Sequence, residues 1–291
     1  MTQLDHENPW EDPVNSRAYA GFCASHDLYR ASSRGLVELL APAPDAHILD
    51  IGCGTGVSTL AVLERLGPGG RVTGIDASGS QIACARGAVV DDRATFVQVP
   101  PDDPSGAVGA TFDGALSSAA FWQILLEPML RFLARALHPG SKLVFNMFPD
   151  ALPGVAAAAE PPFRKREDRA SASASLERLM LRTARARYGY EHPGRPARDR
   201  ERYESWFLDA LDQAGFKRGR SRCRHLERTP EEARAWYAIP IFRRNVVPGL
   251  SIEESAAVLE EAWARWRPAG SGVTVWLELE FTLAADGGVV P

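Results

Sequence analysis

The residues best placed to do chemistry lie in Asp50-Ile51-Gly52-Cys53-Gly54-Thr55-Gly56, where glycine takes every second position after the apolar pair Ile48-Leu49. Glycine turns through positive φ without steric cost and lets the backbone approach a ligand closely. A helix entered just beyond would aim amide groups and a positive dipole end at the same place. A flat or anionic ligand is the expected occupant. A second candidate is Asp76, twenty residues after Gly56, which closes the run Val72-Thr73-Gly74-Ile75-Asp76. A carboxylate at a strand tip can accept both hydroxyl hydrogens of a ribose, which suits an adenosine cofactor and disfavours a 2'-phosphate. Taken alone, Asp76 could equally cap a helix N-terminus. A dinucleotide fingerprint is weakened because position 57 is Val, where that pattern asks for Gly or Ala. A P-loop is excluded, since no Gly-Lys-Ser or Gly-Lys-Thr follows the loop.

These residues must be held by strands and helices in alternation. The pattern predicts strands at 47–51, 71–76, 95–99, 112–118 and 142–148, and helices at 58–66, 80–86 and 125–137, with a turn at His138-Pro139-Gly140. Such alternation predicts a parallel sheet covered on both faces. Residues 205–214 read as a helix stopped at Gly215, 217–228 as a basic strand, and 273–283 as a strand of alternating apolar and polar residues. Helices are expected at 230–237 and 252–266. Between 176 and 187, Arg178, Arg182 and Arg185 share one helical face, either a clamp for an anionic substrate or a solvated surface.

Composition narrows the classes of function. The chain has 291 residues, 45% of them hydrophobic, with a formal net charge of -4, which supplies no positive field for polyanions. Nucleic acid is therefore not the expected partner. Met1 to Trp10 lacks a basic start and an apolar run, and no apolar stretch approaches the ~20 residues of a membrane span, so a cytoplasmic, soluble protein without a membrane partner is expected. Cys23, Cys53, Cys84 and Cys223 are scattered, without ligand spacing, so no metal or disulfide framework is expected. Cys53 reads as a small residue filling a tight turn.

The ordered motifs Asp-x-Gly-x-Gly-x-Gly at 50–56, Gly-Ile-Asp-Ala-Ser at 74–78, Phe-Asp-Gly-Ala at 112–115 and Leu-His-Pro-Gly at 137–140 resemble those of class I S-adenosylmethionine-dependent methyltransferases. The resemblance spans residues 45 to 150, with an echo in Leu-x-x-Ala-Gly-Phe at 211–216. It implies an α/β fold: a Rossmann-like, doubly wound, seven-stranded and mostly parallel sheet with an antiparallel last strand, plus helical lid insertions. It also implies S-adenosyl-L-methionine as cofactor, S-adenosyl-L-homocysteine as product, and a small organic acceptor methylated on oxygen, nitrogen or carbon, as in secondary metabolism. Asp50, Gly52, Gly54 and Gly56 would hold the methionine end, Asp76 and Ala77 the ribose and adenine, and Ser117 and Ser118 the region of the reaction centre; Tyr19 would cover the cofactor. The family often places an aspartate beside the adenine amino group after the third strand, whereas this chain reads Gln98-Val99-Pro100-Pro101-Asp102-Asp103, which leaves backbone groups at Val99, or Asp102, for that contact.

Methyl transfer from a sulfonium is an in-line displacement that needs alignment and water exclusion more than covalent chemistry. His26 is the first candidate for a general base, because in related enzymes the N-terminal segment folds over the cofactor, and His225 is the second. Tyr29, Phe121, Trp122, Trp236 and Tyr237 are expected to shape an apolar acceptor pocket. The domain layout expected is an N-terminal helical cap at 1–44, the cofactor-binding core at 45–150, a helical lid at 151–202, the rest of the sheet at 203–229 and 271–285, and a helical substrate cap at 230–270. Three other classes stay open: an enzyme that uses the cofactor without methyl transfer, a binding protein, and an RNA or protein methyltransferase working through Arg164–Arg169 and Arg218–Arg224. A homodimer is one candidate for the assembly.

Overall fold

The apolar runs pair as the alternation requires. The computed structural model describes residues 8–105, 109–160, 172–194, 199–268 and 270–285. Strands β1 (His47–Ile51), β2 (Arg71–Asp76), β3 (Ala94–Gln98), β4 (Phe112–Ser117), β5 (Leu137–Met147), β6 (Phe216–Arg228) and β7 (Gly272–Leu283) form one sheet in the order β3-β2-β1-β4-β5-β7-β6. The first five run parallel to one another, and β7 runs antiparallel to β5, pairing Met147 with Leu277. The chain reverses its direction of winding between β1 and β4, which creates a crevice at their carboxyl ends. The expected turn at His138-Pro139-Gly140 lies inside β5, as a positive φ at Gly140 and a register shift opposite Phe112 and Gly114.

Strand periodicity sorts the core into two layers. Leu49, Ala115, Phe145 and Leu279 pack on one face with α5 (Leu126–Ala136) and α8 (Arg200–Gln213). Ile48, Leu116 and Val144 pack on the other with α2 (Leu28–Leu40), α3 (Val57–Leu63) and α4 (Gly79–Ala88). In α5 the residues Leu126, Met129, Leu130 and Leu133 are buried while Glu127, Arg131 and Arg135 face out, so the helix is held by one apolar stripe. Each fully buried Leu or Phe contributes about 1.5–3 kcal/mol.

The polar residues of the last strand have a different fate from the one alternation suggests. Glu278 is fully buried on β7 and accepts from Arg222 Nε at 2.6 Å and from Arg224 Nε, while both arginines also reach Glu38. Glu280 takes Arg220 at 3.0 Å and Lys142 at 3.2 Å. The basic strand therefore pairs three of its arginines with carboxylates, which offsets their charge on the surface considered for RNA. The other half of that surface, Arg164–Arg169, lies outside the described residues. Gly35 makes the arrangement possible: a Cβ there would come within 2.1 Å of Arg224 Nε.

The chain divides into two compact units, one of residues 29–163, 198–224 and 275–291, the other of 1–28, 164–197 and 225–274. The first holds most of the sheet. The second contains α1 (Pro13–Ser25), α7 (Ala172–Tyr188), α9 (Pro230–Ala238), α10 (Pro240–Val246) and α11 (Ile252–Arg265). The cap, lid and insertion expected as separate pieces thus contribute to a single helical unit. Its core joins Leu176 and Met180 from one stretch of sequence with Tyr237, Val258, Leu259 and Trp266 from another. The boundaries shift accordingly: from Tyr29 onward α2 belongs to the sheet unit, as does α6 (Pro153–Ala159). Arg178, Arg182 and Arg185 are exposed on α7, opposite buried Leu176, Met180 and Ala184, which is the solvated-face alternative. No helix among the described residues is long and apolar enough to cross a membrane.

Candidate functional site

Strand β1 is buried along its whole length and ends in the glycine loop, where Gly52, Gly54 and Gly56 have φ of 64°, 53° and 87°. Two of these positions are also closed to a side chain. A Cβ at Gly52 would lie 2.7 Å from Ala120 Cβ, and one at Gly56 2.7 Å from Val89 Cγ2. The loop is held from below by Cys53 N–H donating to Ile75 O and Gly56 N–H to Cys53 O. Helix α3 is seven residues long, shorter than expected, so the loop backbone shapes this end of the sheet more than a long helix would.

Asp50 departs from the expected direct contact with the cofactor. Its carboxylate is fully buried and accepts from Ser58 Oγ at 2.7 and 2.9 Å and from Thr59 Oγ1 at 2.6 Å. It ties the strand end to the first turn of α3, and so positions the loop from inside. Burial pushes its pKa up to about 6, against the pull of the Thr59 and Ser58 hydroxyls, and the nearby Asp76 charge adds to the rise. Burial likewise pushes the Cys53 thiol up, as befits a residue that only fills the turn.

Asp76 sits partly exposed at the tip of β2 and accepts from Gly54 N–H and Ser78 N–H, each at 2.9 Å. It is not the helix cap. Ser78 takes that role for α4, accepting from Gln81 N–H. The carboxylate thus joins the glycine loop to the β2 exit and remains an acceptor suited to ribose hydroxyls. Ala77 is partly exposed beside it, and its carbonyl accepts from Gln98 Nε2. Val99 N–H donates to Asp76 O at 3.0 Å, which ties the β3 exit to the tip of β2. Asp102 is exposed in the loop beyond.

Across the crevice, Ser117 ends β4 with its hydroxyl buried and without a hydrogen-bond partner, and Thr55 Oγ1 in the loop is buried in the same condition. Buried polar atoms of this kind are uncommon and call for an occupant. Ser118 accepts from Ser33 Oγ at 3.0 Å. The exit of β4 then passes through Ala119, a non-glycine residue at φ 56°, held by its N–H donating to Asn146 Oδ1 at 2.6 Å while Asn146 Nδ2 donates to Ser32 Oγ at 2.7 Å. Asn146 and Ser32 are fully buried, and neither was expected to matter. The signal for Asn146 was a lone polar residue in the apolar strand Leu143-Val144-Phe145-Asn146-Met147.

The aromatic candidates separate. Phe121 is a core residue, 1% exposed and stacked on Phe145 at 4.1 Å, and Tyr29 is also buried, so neither lines an open pocket. Trp122 is partly exposed and lies against Phe148 and Trp276. In the helical unit, Tyr237 is 2% exposed and donates to Glu177 Oε1 at 2.7 Å, which makes it structural rather than pocket-forming. Trp236 stacks on Phe242 at 4.0 Å with the Arg228 guanidinium 4.8 Å from its ring, and Tyr19 meets Trp10 and Phe242 edge-on. His26 ends α1 with its ring 4.8 Å from that of Phe22, and His225 is exposed on β6. The sheet unit thus gathers Asp50, the glycines, Asp76, Ala77, Ser117, Ser118 and Trp122, while Tyr19, His26, His225 and Trp236 belong to the helical unit.

A family model described as a methyltransferase domain matches residues 48–140. A nocamycin O-methyltransferase from Saccharothrix syringae is 32% identical over 122 residues, which cover 40% of this chain and 43% of that protein. An O-methyltransferase from Pyrenophora dematioidea is 31% identical over 150 residues, covering 49% of this chain and 52% of that protein. The chain spans about half the length of these curated relatives. A solved S-adenosylmethionine-dependent methyltransferase from Geobacter sulfurreducens, in complex with S-adenosyl-L-homocysteine, matches 92% of this chain and 98% of its own at 17% identity and a TM-score of 0.50. That likeness is one of fold.

Proposed function

We propose that this chain, whose residues 48–140 match a methyltransferase domain, binds S-adenosyl-L-methionine and transfers its methyl group to a small organic acceptor, leaving S-adenosyl-L-homocysteine. The observation that carries the proposal is the left-handed glycine loop joined to the partly exposed Asp76, opposite the orphaned hydroxyl of Ser117 at the switch point of the sheet. The names of the relatives support oxygen as the methylated atom and secondary metabolism as the setting.

When bound, the cofactor supplies a sulfonium methyl, an electrophile that needs no covalent help from the protein. The chain's own part is to hold and orient. Gly52 and Gly54 admit the methionine portion close to the backbone, Asp76 accepts the ribose hydroxyls, and Ser117 gains the partner it lacks. Asp50, through Ser58 and Thr59, keeps the loop in register. Alignment of this kind is worth about 7–11 kcal/mol of a barrier. His26, and after it His225, is proposed to take a proton from the acceptor where one must leave.

Calorimetric titration with S-adenosyl-L-methionine, S-adenosyl-L-homocysteine and NADH tests the cofactor. One-site binding of the two sulfur nucleosides without NADH is expected; binding of NADH alone would reject it. Release of S-adenosyl-L-homocysteine in step with a methylated product separates methyl transfer from other uses of the cofactor. His26→Ala is expected to lower kcat and leave affinity for S-adenosyl-L-homocysteine unchanged.

A further inference from the structure

Three aromatic rings meet where β5, β7 and the turn after β4 come together. Phe148 follows the last residue of β5, Trp276 lies on β7 beside the Met147–Leu277 pair, and Trp122 belongs to the short 3-10 turn Phe121–Gln123. Phe148 and Trp276 stack at 4.8 Å and 28°, Trp122 and Trp276 at 5.7 Å and 22°, and Trp122 and Phe148 sit at 4.9 Å. Two features set this group apart from a core cluster such as Phe121-Phe145-Phe207. Phe148 is 48% exposed, although it stacks on a tryptophan that is 2% exposed. The indole Nε1–H of Trp276 is buried and has no hydrogen-bond partner.

An indole N–H withheld from water without an acceptor costs roughly 1–3 kcal/mol, and buried tryptophans ordinarily find one. The group also lies at the carboxyl edge of the sheet. The order β1-β4-β5 puts the end of β5 two strand spacings, about 10 Å, from the end of β1 where the glycine loop begins. The turn that bears Trp122 leaves β4 beside Ala120, the residue packed on Gly52.

Resting on the proposed cofactor site, we infer that Trp122, Phe148 and Trp276 form the platform for the methyl acceptor, and that the acceptor is a flat, aromatic molecule bearing a carbonyl oxygen that accepts the Trp276 indole N–H. Phe148, the half-exposed ring, swings off the indole face and stacks on the acceptor, which lies beside the indole with its oxygen on the Nε1–H and its far side toward the glycine loop. Aliphatic acceptors gain neither the stacking nor the shape match.

The test uses coumarin, a flat bicycle with a carbonyl oxygen, and 2H-chromene, which lacks the carbonyl. Each is titrated into full-length protein saturated with S-adenosyl-L-homocysteine, with indole 15N labelling of the seven tryptophans and Trp276→Phe to assign the resonance. Coumarin is expected to bind about 10-fold more tightly than 2H-chromene, the worth of one hydrogen bond, and to move the Trp276 indole proton downfield. Trp276→Phe should bring coumarin down to the affinity of 2H-chromene. Phe148→Ala, at an exposed position, should weaken both probes about 10-fold and decides the matter with the wild-type titrations if Trp276→Phe does not fold. Equal affinity of the two probes, an unmoved Trp276 resonance, wild-type binding by Phe148→Ala, or no probe binding while S-adenosyl-L-homocysteine saturates would each overturn the platform alone. Failure of S-adenosyl-L-homocysteine to bind would overturn the cofactor site, and the platform with it.

Discussion

At the carboxyl end of β1, position is set by backbone: three left-handed glycines, amides donated to Ile75 O and Asp76, and short hydroxyls on Asp50. In the helical unit it is set by side-chain packing, with Leu176 and Met180 from one stretch of chain against Tyr237, Val258 and Trp266 from another. The first construction depends on residues close in sequence and tolerates almost no added atom. The second depends on residues brought together from far apart and draws its stability from area. A ligand site made the first way is steep in its response to substitution, while a packed unit made the second way yields gradually.

The contrast is sharpest at Gly52. Gly52→Val places a branched side chain at φ 64° against Ala120 and is expected to abolish binding of S-adenosyl-L-homocysteine by calorimetry; binding within 10-fold of wild type would break the comparison. Asp76→Ala should weaken the same binding by about 10- to 100-fold, the loss of two charge-assisted hydrogen bonds at roughly 1.5 kcal/mol each or less, with an unchanged circular dichroism spectrum.

Asp50 adds a pH test. Its folded pKa, near 6, lies above its ordinary 3.8, so the folded state holds this proton more tightly than the unfolded chain. The stability it contributes is fully present below pH ~3.8 and is lost as pH rises through ~6. Denaturant melts of wild type and Asp50→Asn from pH 4 to 7 should therefore diverge, the wild type losing up to about 3 kcal/mol relative to the variant at 1.36 kcal/mol per unit. Parallel curves would place the carboxylate outside this account. The smallest effect is expected from Tyr237→Phe, which removes the bond to Glu177, should cost about 1 kcal/mol in the same melts, and should leave cofactor affinity untouched.

The parts that could be read from sequence were those whose cause is local. Glycine at alternate positions, the carboxylate twenty residues on, and the alternation of apolar runs carried the sheet and the glycine loop joined to Asp76, because turns and strands are specified within a few residues. Phe121 and Tyr237 read as pocket residues in the sequence and lie in cores, since an aromatic beside a motif has the same sequence signature whether it faces ligand or protein. Glu278 and Glu280 looked like the wet side of a strand. Their burial follows from the arginines of β6, more than fifty residues earlier in the chain.

By itself the sequence determined where the backbone must turn, which residues can lack a Cβ, and what chemistry a carboxylate at the tip of β2 can offer. Only the tertiary structure decided that Asp50 faces inward, that Asn146 and Ser32 hold the β4 exit, that three separated stretches make one helical unit, and that Trp276 is buried beneath Phe148 with its indole N–H unmet. The reason is physical: local steric rules act between neighbours along the chain, whereas burial and hydrogen-bond satisfaction are properties of the space that distant segments enclose together.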